Sequence, residues 1–385
     1  MKILIITANI GRTAPGIVFE RLIYGLSSFH EIDILTSDYE PSIDLSKLSN
    51  IIVSNKYSIH PRINKLFLSF LGVNPFDCFW AWKSIKKIKK DKIYQYDLVF
   101  SFLSFQHYTA LIAGAYFCKK HNIKFAVYSV DAIPAPIGWL NYDGYYKGIK
   151  KMIDNYLGEV DAFFSSNYQM LSYQLTTFLP KKNMLTEVVY NPSYGEFKIL
   201  PRNNETTNSF VYTGGIYGVR KADYMLNGFE KLLKTYPDSK LIFVGSQLPS
   251  LLLVELELET IKKIEIVSFA KDLSQYYKCA TALIDIDADL ENDVFLSSKM
   301  TNYLMINRVI ISETGTNSPS RHLFKNIDSI IQCDHDVDQI CEAMKKTIIT
   351  KNLIDFNDRI SIMESFNLEN IIDKLNKNLE EVIIS

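Results

Sequence analysis

The stretch Phe210–Lys221 reads FVYTGGIYGVRK and passes from an apolar run through three glycines to two basic residues. Its first residues, Phe210–Tyr212, are typical of a buried strand, and a helical pattern follows over about 222–235. Glycines let the backbone approach a ligand closely, while Arg220 and Lys221 place positive charge where a helix begins. The stretch predicts a phosphate-binding loop between a strand and a helix, although a plain turn with solvated basic residues fits it equally well.

A second candidate for phosphate binding follows about eighty residues further along the chain. Ile284–Ala288 (IDIDA) closes a strand, and after a polar loop Val294–Leu304 (VFLSSKMTNYL) has the pattern of a helix entry. Ser297 or Ser298 can cap this helix, and the same hydroxyl and N–H groups can hold a diphosphate whose charge Lys299 neutralises. An ordinary capped helix with an exposed lysine is the alternative interpretation.

Short apolar runs alternate with stretches of helical period along the whole chain of 385 residues. This alternation predicts an α/β protein with parallel sheets covered by helices on both faces, and the length suits two domains. A polar segment rich in proline and asparagine over 191–208 interrupts it and is predicted to be the linker. We therefore predict one Rossmann-like domain over 1–190, a second over 209–365, a ligand cleft between them, and a final helix over 366–385 that can return to the first domain.

Composition excludes several classes of function. Hydrophobic residues make up 47% and charged residues 22% of the chain, as in folded globular proteins, and the net charge of -1 gives no general attraction for nucleic acid. The five cysteines are scattered without a CxxC motif, which argues against structural zinc or a disulfide framework and fits a reducing compartment. We find no signal peptide and no apolar window long enough for a membrane span, so a cytoplasmic location is expected.

The two candidate segments, in this order and spacing, resemble the donor half of the family-four retaining glycosyltransferases of the GT-B fold. In that family a Gly-rich loop with a basic residue follows a strand, and later a helix that opens with Ser-Lys and carries Glu-Tyr-Leu precedes another strand. Leu241–Ser246 and Phe269–Tyr277 fall where the family has its middle strands and loops. In the first half, Asn191-Pro192 resembles the interdomain turn, and the stretch 107–134 resembles the acceptor-side strand and loop.

The resemblance implies transfer of a sugar from a nucleoside diphosphate to a glycan or lipid-linked acceptor, with retained configuration, no metal ion and no cofactor. It further implies a role in surface polysaccharide synthesis. Arg220 would contact the leaving diphosphate bidentately and Lys299 would act as a point charge, which makes both candidate catalytic groups. The residues that the resemblance assigns to donor binding are Gly214, Gly215, Arg220, Lys221, Gly245, Ser297, Ser298, Lys299, Asn302 and Tyr303.

Four further residues are candidates for the acceptor side and for catalysis. Arg12 and Gly16 lie in the loop after the first strand, where they can meet an anionic acceptor or form a simple turn. His107 begins a helix after a strand and can donate to a sugar hydroxyl or a phosphate, or cap its own helix. Asp131 ends another strand and can order an acceptor hydroxyl or act as its base, unless it is only a turn aspartate.

The sequence departs from the family pattern at two carboxylates. The family commonly has Glu-x7-Glu, one glutamate near the donor sugar and the other on the ribose hydroxyls, and these positions fall on Val294 and Asn302. The Asn302 amide oxygen still accepts a hydrogen bond, although less strongly than a carboxylate, and Glu291 or Asp293 could substitute at the other position. The donor is therefore left open, and a sugar-nucleotide 2-epimerase or a non-catalytic nucleotide-sugar binder are alternatives.

The region 61–92 combines an apolar helical face with aromatic residues and a group of lysines. Its apolar members are Ile63, Leu66, Phe67, Phe70, Leu71, Phe76, Phe79, Trp80 and Trp82. Its lysines are Lys83, Lys86, Lys87, Lys89, Lys90 and Lys92. This combination predicts peripheral contact with an anionic membrane at its inner face, unless the aromatics pack in the core beside a solvated basic helix.

Overall fold

The structure is a computed structural model in which two compact units form, one from residues 1–192 with 366–385 and the other from 193–365. The residues that it describes are all except 49, 57–59, 89–94, 106–107, 137, 140–142, 179–182, 194, 196, 202–206, 247–254 and 271. Each unit contains one sheet, and the two sheets share the same architecture of parallel strands.

The sheet of the first unit has seven strands in the order β3-β2-β1-β4-β5-β6-β7, every neighbouring pair parallel. The strands are β1 (Lys2–Gly11), β2 (Glu31–Glu40), β3 (Asn50–Val53), β4 (Leu98–Leu103), β5 (Lys124–Ser129), β6 (Ala162–Ser165) and β7 (Leu185–Val188). The central strands are buried on both faces, which is why their sequences are nearly continuous apolar runs.

Helices cover both faces of this sheet. Before the chain leaves the unit they are α1 (Ala14–Leu26), α2 (Pro61–Leu71), α3 (Pro75–Ile85), α4 (Thr109–His121), α5 (Asp143–Tyr156) and α6 (Tyr168–Thr177). One core cluster contains Trp80 of α3 and Phe117 of α4, and the other contains Phe19 of α1 packed on Phe102 of β4. No helix in the described part of the chain is long and apolar enough to span a bilayer.

The sheet of the second unit has six strands in the order β10-β9-β8-β11-β12-β13, again all parallel. They are β8 (Ser209–Thr213), β9 (Lys240–Val244), β10 (Ile264–Val267), β11 (Ala280–Ile286), β12 (Val309–Glu313) and β13 (Ile330–Cys333). The prediction of two parallel sheets in series is confirmed. Because parallel strands end at the same edge, the loops after β8, β9, β11, β12 and β13 share the carboxyl edge of this sheet.

The helices of the second unit are mostly short. They are α7 (Asp223–Leu233), α8 (Leu258–Ile261), α9 (Ser274–Cys279), α10 (Ser298–Tyr303), α11 (Pro319–Leu323), α12 (Val337–Thr350), a 3-10 turn at Asn357–Arg359 and α13 (Ile360–Ser365). The two longest, α7 and α12, pack closely: a Cβ at Gly228 would lie 2.7 Å from the Ile340 Cγ2 atom. Their close contact covers one face of the sheet.

Part of the predicted linker is attached to the second unit. The Lys198 amide donates to the Met305 carbonyl at 2.7 Å, and the Leu200 amide donates to Asn307 Oδ1 at 2.9 Å. Arg308, which is fully buried, donates to the Leu200 carbonyl at 3.1 Å. These hydrogen bonds satisfy backbone N–H and C=O groups of the predicted linker, for which the sequence indicated no partner.

The last helix, α14 (Leu368–Ile384), packs in the first unit against α1. Gly25 of α1 makes the contact possible, since a Cβ there would lie 2.3 Å from the Ile372 Cγ1 atom. Lys374 forms an ion pair with Glu187 at 2.9 Å and donates to the Val188 carbonyl at 3.3 Å. The helical spacing of apolar residues in the sequence corresponds to the buried face of α14.

Candidate functional site

The loops that follow β8 and β9 meet backbone to backbone. Gly214 and Gly245 have φ values of 107° and 90°, a region that residues with a side chain rarely adopt. The Gly214 amide donates to the Val244 carbonyl at 2.7 Å, and Ser246 Oγ donates to the Gly214 carbonyl at 2.7 Å. The predicted glycine loop is thereby held in one position, with Gly214 exposed and Gly215 half-buried.

Lys299 belongs to the second predicted phosphate-binding segment, and its side chain lies against the first. Its Cε atom is the atom nearest to a Cβ built on Gly214, at 3.7 Å, and its ammonium lies 4.7 Å from the Tyr212 ring centroid. The same ammonium lies 3.4 Å from Asp285 Oδ1, and only 13% of the side chain is exposed. Burial acts to lower the pKa of Lys299, but Tyr212 and Asp285 together raise it above its ordinary value. The lysine is therefore a fixed, charged group at this edge.

Ser297 occupies the N-cap position of α10, but its side chain does not cap the helix. Its Oγ atom instead accepts a hydrogen bond from Lys299 at 3.2 Å, so the serine helps to hold the lysine. The next residue, Ser298, is exposed.

Arg220 lies in the turn after the glycines, where its amide donates to the Tyr217 carbonyl at 3.3 Å. The guanidinium carbon is 5.8 Å from the Tyr217 ring centroid. Burial acts to lower the pKa of Arg220, but Asp287 above all, with weaker help from Asp285, raises it. Both predicted cations therefore lie near the same buried carboxylates, whereas Lys221 is exposed to solvent.

Tyr303 has a structural role that the sequence did not reveal. Its buried hydroxyl accepts the Thr213 amide at 2.8 Å and bonds to Thr213 Oγ1 at 2.9 Å, which ties α10 to the end of β8. The neighbouring Asn302 is half-buried, and among the residues described its Oδ1 atom has no hydrogen-bond partner. This oxygen atom is itself buried, and the binding of a ligand hydroxyl by Asn302 stays a prediction.

The residues proposed to replace the missing glutamate differ in their surroundings. Val294 is buried, and Glu291 is exposed. Asp293 is buried, and its Oδ1 atom accepts the Phe295 amide at 3.2 Å. That bond holds the loop before α10, so at least one Asp293 oxygen has a structural partner.

In the first unit, the predicted acceptor residues take part in local structure. Arg12 has a φ of 56° and forms an exposed ion pair with Glu40 at 3.1 Å. Gly16 lies in the first turn of α1 and not in the preceding loop, and a Cβ there would overlap the Gly11 carbonyl oxygen. His107 lies outside the described residues.

Asp131 connects two loops of the first sheet. Its Oδ2 atom accepts the Phe105 amide at 2.9 Å, and its carbonyl accepts Ser129 Oγ at 2.6 Å. These bonds fit the turn aspartate that the sequence left as the alternative, and its side chain is only partly buried.

The structure also shows a group of buried acids that the sequence analysis did not single out. Asp285 and Asp287 are fully buried at the end of β11, where acids alternate with isoleucines. Glu313, at the end of β12, bonds to His335 with 2.8 Å between Oε1 and Nδ1. Burial raises the pKa of Glu313 to about 7, against the effect of His335. The alternation of aspartates with isoleucines could have indicated these acids from the sequence, because burying a polar side chain in a strand is costly.

Within the described parts of the chain, no group of three or more histidine, cysteine and acidic side chains is placed to hold a metal ion. The chemistry that these residues offer is the binding of an anion by two cations, with an amide acceptor on Asn302 nearby in sequence.

Taken together, the fold and this edge of the second sheet define a class: the chain has the GT-B fold. No family model matches the sequence, and no curated protein is detectably similar to it. Among solved structures, HepE of Anabaena in complex with UDP-glucose has a TM-score of 0.66 at 9% identity, over 99% of this chain and 100% of that chain.

Two further solved structures agree over the full length. The lipopolysaccharide outer core galactosyltransferase WaaB, in its apo form, has a TM-score of 0.62 at 13% identity, over 99% of each chain. A glycosyltransferase from Rickettsia africae ESF-5 has a TM-score of 0.62 at 11% identity, over 99% of this chain and 98% of that chain. At such identities the likeness establishes the fold alone.

Proposed function

We propose that this protein is a metal-independent glycosyltransferase that moves a sugar from a nucleoside diphosphate to a glycan or lipid-linked acceptor with retention, in the synthesis of a surface polysaccharide. The observation that carries the proposal is the approach of Lys299 to Gly214, with Lys299 and Arg220 both influenced by Asp285. Two separate segments thus supply positive charge to one edge of the sheet. The complex of a structural neighbour with UDP-glucose supports a nucleoside diphosphate sugar as donor.

In this proposal the cations act on the leaving group. When the bond between the anomeric carbon and the phosphate oxygen breaks, negative charge accumulates on the diphosphate. Arg220 and Lys299 stabilise that charge, which is the electrostatic contribution that usually lowers such barriers most. Asn302 is proposed to accept a hydrogen bond from a ribose hydroxyl. The acceptor oxygen forms the new bond to the anomeric carbon as the bond to the phosphate oxygen breaks, and the proton of the acceptor hydroxyl passes to the departing diphosphate.

Nucleotide binding is expected to stabilise the protein without a metal ion. At a concentration of about 100 times its dissociation constant, UDP should add about 2.7 kcal/mol, which corresponds to a rise in Tm of roughly 5–10 °C. The measurement is a thermal-shift panel of UDP, GDP, ADP and CMP, each with and without EDTA, and UMP is the control that lacks the second phosphate. A shift that disappears with EDTA would contradict metal independence.

The same protein preparation separates transfer from the two alternatives that Val294 and Asn302 keep open. Mass spectrometry and chromatography of a nucleotide sugar incubated with protein alone would reveal an isomeric product if the protein were a 2-epimerase. A nucleotide that binds without any transfer or hydrolysis, on a panel of glycan and lipid-linked acceptors, would indicate a non-catalytic binder. Consumption of donor only when an acceptor is present supports the proposal.

We also propose that the acceptor is reached at a membrane surface, through α2 and α3 of the first unit, with the protein on the cytoplasmic side. Exposed large apolar side chains on these helices are Ile63, Leu66, Phe70, Leu71, Phe76, Phe79 and Trp82. Of the apolar residues that the sequence analysis assigned to this surface, Trp80 is buried in the core and Phe67 is half-buried, so the packing alternative holds for Trp80. Phe70 is 75% exposed, which is unusual for phenylalanine in water.

Basic residues accompany this apolar surface. Arg62, Lys65, Lys83, Lys86 and Lys87 are exposed on or beside the two helices, whereas Lys89, Lys90 and Lys92 lie outside the described residues. The Lys86 ammonium lies 3.2 Å from the Trp82 ring centroid. Each basic residue near an anionic bilayer contributes about 1 kcal/mol, and the aromatic side chains can enter the headgroup region. Charge and apolar surface therefore favour the same partner, an anionic lipid surface.

The protein is expected to float with phosphatidylglycerol-containing vesicles at low salt and to be released at high salt, while phosphatidylcholine vesicles bind it weakly. The double substitution Phe70→Glu with Trp82→Glu should weaken binding at least about tenfold, because it removes inserted rings and adds negative charge. Leu353→Glu is the matched control, since Leu353 is 80% exposed in the second unit. Equal flotation of the double variant and the control would refute the surface, as would a protein wholly soluble at low salt in cell fractions.

A further inference from the structure

Asp287, directly after β11, is a fully buried acid. The residue has no exposed surface, and neither of its side-chain oxygens has a partner among the residues that the structure describes. Its amide donates to the Glu313 carbonyl at 2.9 Å, which fixes the backbone beside β12. Burying an ionised carboxylate without hydrogen bonds is far more costly than burying the neutral acid. The geometry of Asp287 therefore favours its protonated form.

The acids around it have partners that Asp287 lacks. Asp285 Oδ1 pairs with Lys299 at 3.4 Å, and Asp293 Oδ1 accepts the Phe295 amide. Among the described residues, two acids (Asp285 and Asp293) and two cations (Lys299 and Arg220) act on Asp287, so an ionised Asp287 adds one more negative charge to the site. The added charge is unfavourable for binding a diphosphate, because each additional negative charge in a site of low dielectric repels the ligand.

The charged groups around Asp287 raise or lower its pKa. Burial above all, together with Asp285 and Asp293, raises the pKa of Asp287 to about 8, against the opposite effect of Arg220 and Lys299. On the adjoining strands, the Glu313–His335 pair also titrates: the pKa of Glu313 is raised to about 7, chiefly by burial, and the pKa of His335 is raised by Glu313 against burial. Two buried groups at this edge can thus change charge near neutral pH, and a test has to separate them.

We propose that Asp287 is a positioning residue that sets the charge of the phosphate site, so that its neutral form admits a nucleoside diphosphate and its ionised form excludes one. The inference rests on the proposed function, because it concerns the same anion site. Asp287 acts through Arg220 and Lys299 and does not itself touch the ligand, since it is fully buried. Binding of the nucleotide is then linked to retention of a proton, and above pH 8 the complex forms with uptake of one.

The direct test is the affinity of the full chain for UDP between pH 7.0 and 9.5, measured by isothermal titration calorimetry. Over this range the terminal phosphate of UDP is already ionised, since such groups titrate at about pH 6. We expect the Kd to rise at least about tenfold from pH 7.0 to 9.5. Titrations at pH 8.5 in two buffers with different heats of ionisation should show uptake approaching one proton for each UDP bound.

The Asp287→Asn variant provides the matched comparison, because asparagine has the same shape and stays neutral. It should bind UDP at pH 9.5 within about threefold of its own affinity at pH 7.0, without proton uptake. Glu313→Gln removes the other acid that titrates here and should retain the pH dependence of the unmodified protein.

The outcomes separate this inference from the function on which it rests. UDP binding that is independent of pH, with no proton uptake by the unmodified protein, would overturn the role of Asp287 and leave the donor site standing. A pH dependence that persists in Asp287→Asn but disappears in Glu313→Gln would assign the proton to the Glu313–His335 pair. This result would also overturn the role of Asp287. A protein that binds no UDP, GDP or ADP at any pH would overturn both proposals. The number of protons taken up for each UDP bound is measured on the unmodified protein, so this test remains valid even if Asp287→Asn fails to fold.

Discussion

Arg220→Ala is expected to weaken UDP binding on the order of 100-fold and to lower the rate of sugar transfer by a similar factor. Loss of one charged donor to a transition-state oxyanion costs about 3–4 kcal/mol, and the remaining lysine cannot supply a bidentate contact. Lys299→Met should have a comparable effect, for it also leaves Asp285 without its ion pair.

The measurements are the Kd for UDP by calorimetry and the initial rate of transfer or donor hydrolysis. Lys234→Ala is the control, since Lys234 is an exposed cation at the other end of α7. The double variant of Arg220 and Lys299 should lose less than the two single losses combined, because both side chains act on one ligand. Near-normal binding in Arg220→Ala, with the protein still folded, would place the diphosphate elsewhere.

The largest expected effect on stability is that of Arg359→Met. Arg359 is fully buried, and its guanidinium donates to Ser329 Oγ at 2.7 Å and to the carbonyls of Arg308, Ser329 and Ile306 at 2.6, 2.8 and 3.0 Å. Methionine fills similar volume but leaves these acceptors without donors. Buried polar groups deprived of partners should cost about 3–5 kcal/mol, which lowers the Tm of the second unit by roughly 10 °C.

Differential scanning calorimetry of the full chain checks this prediction, because it can resolve a separate transition for each unit. Lys345→Met is the control, a substitution of the same kind on the surface of α12, where Lys345 pairs with Glu342 at 2.8 Å. Its Tm should stay close to that of the unmodified protein. Burial lowers the pKa of Arg359 to about 10, so above pH 10 the unfolded chain binds more protons than the folded chain, and this group alone makes the free energy of unfolding rise with pH. A Tm unchanged in Arg359→Met would show that these bonds contribute little.

Much of the fold could be predicted from the sequence because its parallel strands are buried on both faces. Strands with no solvent-facing side, such as β1, β8 and β11, appear as short apolar runs that are easy to recognise between helical stretches. The glycine loop could be predicted for a related reason. Gly214 needs a positive φ value, so its residue type is restricted by local geometry alone.

The features that escaped prediction depend on contacts between distant segments. The hydroxyl of Tyr303 bonds to Thr213, ninety positions away in the sequence, and the sequence did not indicate this contact. Ser297 or Ser298 was predicted to cap α10, and Ser297 occupies the N-cap position, but its side chain accepts a hydrogen bond from Lys299 and does not cap the helix. The pairing of Glu313 with His335 and the isolation of Asp287 were equally hidden, because they follow from the order β8-β11-β12-β13. Sequence pattern indicates where a strand ends, but it does not indicate which strand ends become neighbours.

The return of α14 to the first unit affects how this protein emerges from the ribosome. The first unit draws on residues at both extremes of the chain, so the surface of α1 around Gly25 stays uncovered while the second unit is being translated. The second unit is a single uninterrupted segment and can fold as soon as it has left the exit tunnel. Completion of the first unit must wait until α14 has been translated and has left the exit tunnel, and a nascent chain arrested near residue 365 would expose the apolar surface of α1 to chaperones.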